Sequence, residues 1–452
     1  MARTRWARLA AHPTQGVVLA FAAAIAVGAG LLALPEAAAS GTRTSALTAL
    51  FTATGAVTGA LSIVPTGSHF NEFGQGVVLA LIQLGGFGIM TFASLLGLLV
   101  TGRLRLQMQL TAQTETRAGI GDVRRVLLGV AATTLVVELA VGTILTIRFR
   151  FGYGMRGGEA VHYGFFHAVS AFNNAGFGLR DNNLVDYADD PWILLPMAAA
   201  CILGGIGFPV LLELLRGSRV GSRSRAAHRW SLHTRLTVVT YGLLLVAGML
   251  MICLLEWGNP GTLGPMTAGH KLLNGFFLST SARTAGFNSV DIGAMEPATL
   301  LGLCILMFIG AGSGGTAGGI KVTTFALLGA AILAEVRGDP AVDIMGRRVP
   351  PAALRQALTV ALLGVGLVMA GSLVLLLTTD EPVEAVLVET VSAFGTVGLT
   401  TGITGELPAV CQLVVIALMF VGRLGPITLA SALALREHPR RYELPEERPA
   451  IG

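Results

Sequence analysis

Four short apolar stretches, each ending in a glycine turn, lie between pairs of long hydrophobic segments in this chain of 452 residues. The turns occupy residues 58–60, 171–177, 281–287 and 392–399. A short helix and glycine turn between two spanning segments is typical of a re-entrant pore loop. Four such loops around one axis would direct backbone carbonyl groups at a common point, where they could replace the water shell of a cation. The spacing of the turns therefore predicts a pore built by repetition.

The composition places this repeat in a membrane. Hydrophobic residues make up 53% of the chain and charged residues 13%, against about 25% charged residues in soluble domains. Mean hydropathy is +0.70. The 59 glycines exceed the usual share of about 7%, as expected for closely packed and interrupted membrane helices. The net charge of +5 is spread over short loops without interleaved aromatic residues, so it does not indicate nucleic-acid binding.

Apolar runs that approach the ~20 residues needed to cross a bilayer occur in pairs. They cover residues 15–35 and 75–100, 126–147 and 191–215, 235–256 and 298–333, and 354–378 and 408–435. The sequence therefore predicts an all-α polytopic membrane protein with eight spanning helices. These form four tandem helix, pore loop, helix repeats in a pseudo-fourfold arrangement around one pore. The predicted repeats are 15–100, 123–215, 232–335 and 353–435, followed by a cytoplasmic tail at 436–452.

Arginines predict the orientation of the chain. They cluster at the amino terminus and in the links at 103–125, 216–229 and 337–348, whereas several aspartates lie in the opposite loops. By the positive-inside rule the basic links face the cytoplasm, and both termini then lie there too. The bias is incomplete, because Arg148 and Arg180 fall on the other side. A cleaved signal peptide is disfavoured, since the first apolar run is longer than usual for one.

A glycine-rich run interrupts the apolar segment at 298–333. At about 1 kcal/mol per glycine relative to alanine, this run cannot remain a stable helix, and broken backbone at membrane depth requires surrounding protein or a cavity. Its match to GxGxxG also raises a dinucleotide site, but no strand precedes it and Ile320 spoils a phosphate-binding loop. The candidate gate residues in and after this run are Gly310, Gly312, Ser313, Gly314, Gly315, Thr316, Gly318, Gly319 and Lys321.

Two arginines within apolar surroundings are further candidates. Arg423 lies well inside the last apolar segment, where a charge costs ~2.5 to 3.5 kcal/mol unless it faces a cavity or a partner. It is therefore a candidate gate residue, with snorkelling to the interface as the alternative. Arg283 lies beside the third glycine turn, and we expect it to brace that turn against a carboxylate such as Asp291 rather than to meet the ion.

Several motifs in order give the chain a family resemblance. They are Phe51-Thr52-Ala53-Thr54, the run at 83–91, Ala282-Arg283-Thr284-Ala285-Gly286-Phe287-Asn288, Gly318-Gly319-Ile320-Lys321 and Gly422-Arg423-Leu424-Gly425-Pro426. In this order they resemble the ion-conducting subunit of the Trk/Ktr/HKT potassium-uptake superfamily, over residues 15 to 435. The resemblance implies potassium uptake through the plasma membrane of a bacterium, with an intramembrane gating loop beneath a filter and an arginine, here Arg423, facing the pore beside it. It also implies a homodimer and a cytosolic nucleotide-binding regulatory ring.

The resemblance further implies a K⁺ filter made by each turn glycine and the carbonyls of the two residues before it. These residues are Val57, Thr58 and Gly59; Asn174, Ala175 and Gly176; Thr284, Ala285 and Gly286; and Thr396, Val397 and Gly398. Glycine suits these positions because it adopts positive φ without a Cβ clash. The first turn departs from the family pattern, since ungapped alignment from Phe51 puts Leu61 at the glycine position. We favour Gly59, because leucine would obstruct a ring of carbonyls.

Two other functions remain open at this stage. A membrane redox subunit would bind a dinucleotide at the glycine-rich run, but it needs a nucleotide-binding domain outside the spans. An ion-coupled carrier of another small solute usually has inverted repeats with helices broken at the midplane, whereas these repeats look parallel and fourfold. We expect K⁺ to be the transported ion, with Na⁺ as a further candidate, and no organic cofactor in this chain. The sequence does not decide between a channel and Na⁺-coupled or H⁺-coupled transport.

Overall fold

A computed structural model describes residues 13–109, 120–218 and 230–425 of the chain. Most of these residues are helical. The helices are α1 Pro13–Leu32, α2 Ala46–Thr58, α3 Thr66–His69, α4 Glu72–Gln109, α5 Ile120–Gly152, α6 Gly157–Phe172, α7 Pro191–Ile206, α8 Phe208–Ser218, α9 Leu232–Glu256, α10 Ala268–Ser281, α11 Pro297–Phe308, α12 Val322–Arg337, α13 Pro351–Thr378, α14 Val383–Gly395 and α15 Ala409–Leu424. Short 3₁₀ turns occupy Pro35–Ala37, Val185–Tyr187 and Ile403–Glu406, and β1 Asp343–Ile344 pairs antiparallel with β2 Arg347–Arg348.

Local chemistry explains many of the helix ends. Ser45 caps α2 by accepting a hydrogen bond from the amide of Thr48 at 3.1 Å, and Ser231 caps α9 through Thr234 at 3.2 Å. A proline occupies the first turn of α7, α11 and α13, where its missing N–H has no helical partner to lose. These residues therefore explain where the five helices begin.

Several helices have the length and composition of membrane spans. Within the described ranges, five helices are long and apolar enough to cross a membrane. The qualifying segments are Gln15–Leu32, Glu72–Thr91, Leu127–Gly152, Leu232–Glu256 and Pro351–Thr378. The pair α7 and α8 makes a sixth if it is one span bent by 103°. Shorter apolar helices are α2, α11 and α15. The protein is therefore mostly helical with several apolar helices.

The apolar run predicted at 191–215 is not one continuous helix, because the chain bends sharply between α7 and α8. Gly207 at the bend has φ 100° and ψ 136°, which side-chain-bearing residues resist. The amide of Phe208 donates to the carbonyl of Gly314 at 3.2 Å. A distant segment therefore provides a partner for an amide that the break in the helix leaves free.

The short helices α2, α6, α10 and α14 lie inside the bundle. α2 packs against α1, α4 and α15; α6 against α4, α5 and α7; α10 against α7 and α9; and α14 against α11, α13 and α15. The contact between α2 and α15 brings the first and last parts of the described chain together. The four turns that follow these helices consequently lie in the interior, close to one another.

A buried carboxylate fixes the end of α9. Glu256 is fully buried and accepts hydrogen bonds from the side chains of Asn259 at 2.7 Å and Thr262 at 2.6 Å. Its other oxygen accepts from the amide of Glu296 at 3.0 Å and from the hydroxyl of Thr299. Because a buried charge needs several donors, this network ties the end of α9 to the start of α11.

Candidate functional site

Three of the four turns share one backbone conformation. Each has two residues with positive φ, separated by a single residue: Asn174 at 51° and Gly176 at 74°, Thr284 at 76° and Gly286 at 76°, and Thr396 at 49° and Gly398 at 100°. A non-glycine residue in this region is uncommon and requires support from its surroundings. The repeated strain shows that the three turns have a common and specific geometry.

The first turn matches the others in a register that differs from the prediction. The amide of Ala60 donates to the carbonyl of Gly55 at 2.9 Å. The equivalent bonds are Ala175 to Ser170 at 2.9 Å and Val397 to Ser392 at 2.8 Å. Gly59, with φ 64°, therefore corresponds to Asn174 and Thr396. Its counterpart in the third turn is Thr284, the first left-handed residue there. Leu61 takes the position of the second glycine, and its φ is not positive.

The first turn thus aligns with the others two residues further along the chain than the predicted register does. Val57 and Thr58 lie in α2, where the Thr58 hydroxyl donates to the carbonyl of Thr54 at 2.7 Å. The Val57 carbonyl packs against Gly85 of α4, so it points to a neighbouring helix. Gly59 was predicted to be the filter glycine because it is the glycine of this turn. In the structure it occupies the first left-handed position of the turn and not the second.

The four turns meet one another in a ring. A Cβ built on Gly398 would lie 3.1 Å from the Ala60 carbonyl oxygen, and one built on Gly176 would lie 3.0 Å from that of Ala285. The Val397 carbonyl oxygen faces Gly286 in the same way. In each contact a carbonyl oxygen of one turn approaches the second left-handed glycine of a neighbouring turn. The carbonyl belongs to the residue just before the second glycine position of its own turn. The structure thus brings the predicted filter residues of turns two, three and four together with Ala60.

A cavity of about 300 Å³ opens beside this ring. Its lining includes Ala60, Gly176 and Gly398 from the ring and the polar residues Asp181 and Thr400. Leu61 is absent from this lining, and its carbonyl oxygen packs against Gly55. The ring is therefore accessible from one side through a partly polar vestibule.

Arg283 braces the third turn, but not through a carboxylate. Its guanidinium donates to the carbonyl of Tyr241 at 2.7 Å and lies 3.5 Å from the centroid of the Tyr241 ring. Asp291 instead accepts a hydrogen bond from the amide of Gly293 at 2.9 Å. The predicted partner is wrong, because the aromatic ring and a helix carbonyl hold the buried cation.

Two buried carboxylates also support the turns, and the sequence analysis missed both. Asn173 donates to Gln83 at 2.9 Å and to Glu138 at 3.2 Å, directly before the left-handed residue Asn174. Glu389 in α14 accepts from the hydroxyl of Thr404 at 2.9 Å, in the segment that follows the fourth turn. A lone acidic residue within an apolar segment was the available signal.

The glycine-rich run forms an irregular segment between α11 and α12, as predicted. Gly314 has φ 81° and Gly319 has φ 62°. Backbone hydrogen bonds hold the segment in place. The amide of Gly310 donates to the carbonyl of Ile320 at 2.8 Å, and the amide of Gly312 donates to the carbonyl of Gly205, near the end of α7, at 2.9 Å. Ser313 also approaches this bend, since its carbonyl packs against Gly207. Protein groups on several sides thus surround the irregular backbone.

The same segment touches the turns and Arg423. The Arg423 guanidinium donates to the Thr316 carbonyl, and the Thr396 side chain packs against Gly318. The Lys321 ammonium donates to the Ala317 carbonyl at 2.6 Å. No carboxylate of the described residues pairs with Arg423, which is 5% exposed. Two cationic side chains therefore hold the segment beside the ring.

Part of the predicted architecture falls outside the described residues. The cytoplasmic tail at 436–452, the end of the fourth repeat at 426–435 and the basic residues at 219–229 lie there.

Comparison with known proteins gives this arrangement a family. The mostly helical fold with several apolar helices is that of a membrane protein, and the family model described as TrkH, cation transport protein, matches residues 3–441. The chain belongs to this family of transport proteins, which are not enzymes. It is 39% identical to the Ktr system potassium uptake protein B of Bacillus subtilis, over 96% of this chain and 95% of the relative.

Other relatives cover nearly the whole chain. It is 37% identical to the Ktr system potassium uptake protein B of Vibrio alginolyticus, over 96% of this chain and 94% of the relative. It is 32% identical to the potassium/sodium uptake protein NtpJ of Enterococcus hirae, over 97% of each. The fold is similar to the crystal structure of the potassium transporter TrkH from Vibrio parahaemolyticus, with a TM-score of 0.73 at 17% identity, covering 93% of this chain and 84% of that chain.

Proposed function

We propose that this protein is the translocating subunit of a potassium-uptake system and passes dehydrated K⁺ through a filter of backbone carbonyls. The observation that carries this proposal is the ring in which the Ala60, Ala285 and Val397 carbonyls approach the glycines of neighbouring turns. Oxygen dipoles arranged in this way replace the hydration shell of a monovalent cation. Relatives with at least 37% identity are named as potassium uptake proteins.

The proposed filter follows the corrected register. It comprises Gly59, Ala60 and Leu61 in the first turn and residues 174–176, 284–286 and 396–398 in the others, with K⁺ as the bound ion. In this interpretation the chain has eight spans in four tandem repeats with pseudo-fourfold symmetry. The placement of α2, α6, α10 and α14 inside the bundle, each before one turn, supports it.

We propose that the segment from Gly310 to Gly319 is the gate. It lies next to the second and fourth turns through Thr316 and Gly318. Arg423 and Lys321 donate to carbonyls of this segment, so they place positive charge where a cation would pass. A steric barrier and an electrostatic barrier then share one place in the pathway.

Several features of the proposed system rest on the family and on charge. We propose that the protein spans the plasma membrane of a bacterium with both termini in the cytoplasm, and that it forms a homodimer on a cytosolic nucleotide-binding ring. The basic residues Arg337, Arg347 and Arg348 near the hairpin of β1 and β2 support a cytoplasmic face there. Na⁺ is a further transported or coupling ion to consider, because one relative is named as a potassium/sodium uptake protein.

Uptake of radioactive rubidium in a host without potassium-uptake systems tests the proposed function. Expression of the chain with a matching regulatory ring should restore Rb⁺ uptake and growth at low K⁺. Unlabelled K⁺ should compete with Rb⁺ more strongly than Na⁺ does. A protein that reaches the membrane and transports no Rb⁺ in cells or in proteoliposomes would contradict the proposal and favour a carrier of another solute.

A further inference from the structure

The side chain of Asn174 leaves the ring of turns and reaches the glycine-rich segment. Asn174 is 1% exposed and has φ 51°. Its amide nitrogen donates to the Thr316 hydroxyl at 2.7 Å and to the Cys201 carbonyl at 3.3 Å. A residue of the second turn is thus hydrogen-bonded directly to a residue of the segment proposed as the gate.

Thr316 joins several elements at one buried point. Its hydroxyl donates to the carbonyl of Phe172, the last residue of α6, at 3.2 Å. Its amide donates to the carbonyl of Gly204 in α7 at 3.1 Å, and its carbonyl accepts from Arg423 of α15. With both its hydroxyl and its backbone paired, Thr316 is fixed relative to the second turn and to Arg423 at the same time.

The equivalent positions in the other turns lack such a connection. Gly59 has no side chain. Within the described part of the chain, the buried hydroxyls of Thr284 and Thr396 have no hydrogen-bond partner. The second turn is therefore distinguished from the others by a side-chain hydrogen bond to the glycine-rich segment.

We propose that Asn174 is a positioning residue that couples the gate to the ion preference of the filter. The inference rests on the proposed function and adds a specific connection to it. Movement of the segment away from the pore breaks the bond between Asn174 and Thr316. The Asn174 amide then loses a buried partner while its backbone stays in a strained conformation. Gate opening consequently loosens the second turn, and an ordered second turn holds the gate closed.

A double-mutant cycle in proteoliposomes tests this coupling. Thr316→Val removes the hydroxyl and keeps the backbone contacts, Asn174→Ala removes the amide, and Thr316→Ser keeps the hydroxyl. Each of the first two variants should raise Rb⁺ flux and lower the Rb⁺ over Na⁺ preference by about two- to tenfold, the range of one hydrogen bond. The double variant should change less than the product of the two single effects, because both remove the bond between Asn174 and Thr316. Thr316→Ser should behave as the wild type does.

Asn183 provides the matched control. Its side chain donates to the carbonyl of Gly176 at 3.0 Å, so it supports the same turn without contact to the glycine-rich segment. The effects of Asn183→Ala and Thr316→Val should multiply. If the effects of Asn174→Ala and Thr316→Val also multiply, the coupling is absent. Wild-type vesicles that transport no Rb⁺ would instead contradict the proposed function itself.

Hydrogen exchange gives a second test that does not depend on transport by variants. In the wild type, amides of residues 310–319 should exchange more slowly in K⁺ than in choline, because an ion in the filter orders Asn174. In Thr316→Val this ion dependence should disappear. Equal exchange of the wild-type segment in the two salts would overturn the inference, as would an unchanged ion dependence in a folded Thr316→Val protein.

Discussion

Leu61 is the residue at which the ring departs most from fourfold equivalence. The other turns have glycine with φ 74° to 100° at this position, but Leu61 is fully buried and its carbonyl packs against Gly55. The Leu61 carbonyl is thus directed at α2 and not into the ring, and the first turn lacks the second left-handed residue that the other three turns share. A ring with one turn of different backbone conformation should discriminate less well between K⁺ and Na⁺.

Leu61→Gly should therefore raise the Rb⁺ over Na⁺ preference, because glycine can adopt the conformation that the other three turns share. The loss of a buried leucine should also lower stability by about 2–5 kcal/mol. Leu61→Ala is the control, since it loses similar packing without gaining left-handed freedom. Competition of Na⁺ with Rb⁺ uptake measures the preference. An identical preference in both variants and the wild type would mean that the backbone conformation at this position does not affect ion selection.

Gly286→Ser tests the opposite change in the ring. Gly286 has φ 76°, and a Cβ there would meet the Val397 carbonyl oxygen and lie 3.1 Å from the Cα atoms of Gly176 and Gly398. A serine side chain should displace the Val397 carbonyl and the backbones of the two neighbouring turns, and so lower the Rb⁺ over Na⁺ preference. Gly366→Ser in α13 is the matched control, because a Cβ on Gly366 would meet nothing within 4 Å. A selective Gly286→Ser protein would exclude the third turn from the filter.

Arg423 combines a charge with a hydrogen bond to Thr316, and two substitutions separate them. Arg423→Ala should raise Rb⁺ flux because the positive charge beside the pathway is lost. Arg423→Lys keeps the charge, so its flux should stay closer to that of the wild type. The ion preference should change little in either variant, since the bond between Asn174 and Thr316 remains. A lower flux in Arg423→Ala would show that the arginine holds the pathway open.

At the scale of elements, the glycine-rich segment and the bend between α7 and α8 fit into each other. Gly312 and Gly314 form backbone hydrogen bonds to residues at the bend. A Cβ built on Gly315 would lie 2.5 Å from the Gly205 carbonyl oxygen. Side chains at these glycines would separate the two backbones. The segment is thus positioned chiefly by close backbone approach.

Deletion of Gly312 to Gly315 should raise Rb⁺ flux and weaken control by the regulatory partner, because it removes the contacts that hold the segment against the bend. Initial uptake rates with and without the partner measure both effects. The Rb⁺ over Na⁺ preference should fall as well, because Thr316 is no longer held beside Asn174 of the second turn. A deletion protein that is folded in the membrane but transports no faster than the wild type would show that the segment is not the gate.

The elements were easier to predict from the sequence than the contacts between them. The glycine turns and apolar runs correctly place α2, α6, α10 and α14, and the glycine-rich run correctly predicts the break between α11 and α12. The bend at Gly207 was missed, because an isolated glycine in an apolar run gives no sign that a distant carbonyl will pair with the freed amide. The correspondence of the first turn with the others was hard to predict for a similar reason, since it depends on hydrogen bonds and not on residue identity.

At the scale of the whole molecule, the site is assembled from parts far apart in the sequence. Asn174 and Thr316 are separated by 142 positions, and Thr316 and Arg423 by 107. No local pattern predicts such pairs. The helix before the first turn, α2, packs against α15 near the end of the described chain, so each turn depends on helices from other parts of the chain. An ion held by all four turns should therefore stabilise the entire fold.

Binding of K⁺ to the purified protein should raise its unfolding temperature in detergent. A ligand that binds only the folded state adds about 2.7 kcal/mol at a hundredfold excess over its Kd. At constant ionic strength, we expect the unfolding temperature to be highest in K⁺ and Rb⁺, lower in Na⁺ and lowest in choline. Gly398→Ser should reduce the difference between K⁺ and choline, because its Cβ would meet the Ala60 carbonyl, whereas Gly366→Ser should keep it. Equal unfolding temperatures in K⁺ and choline, for a protein that transports Rb⁺, would argue against an ordered ion site that joins the four turns.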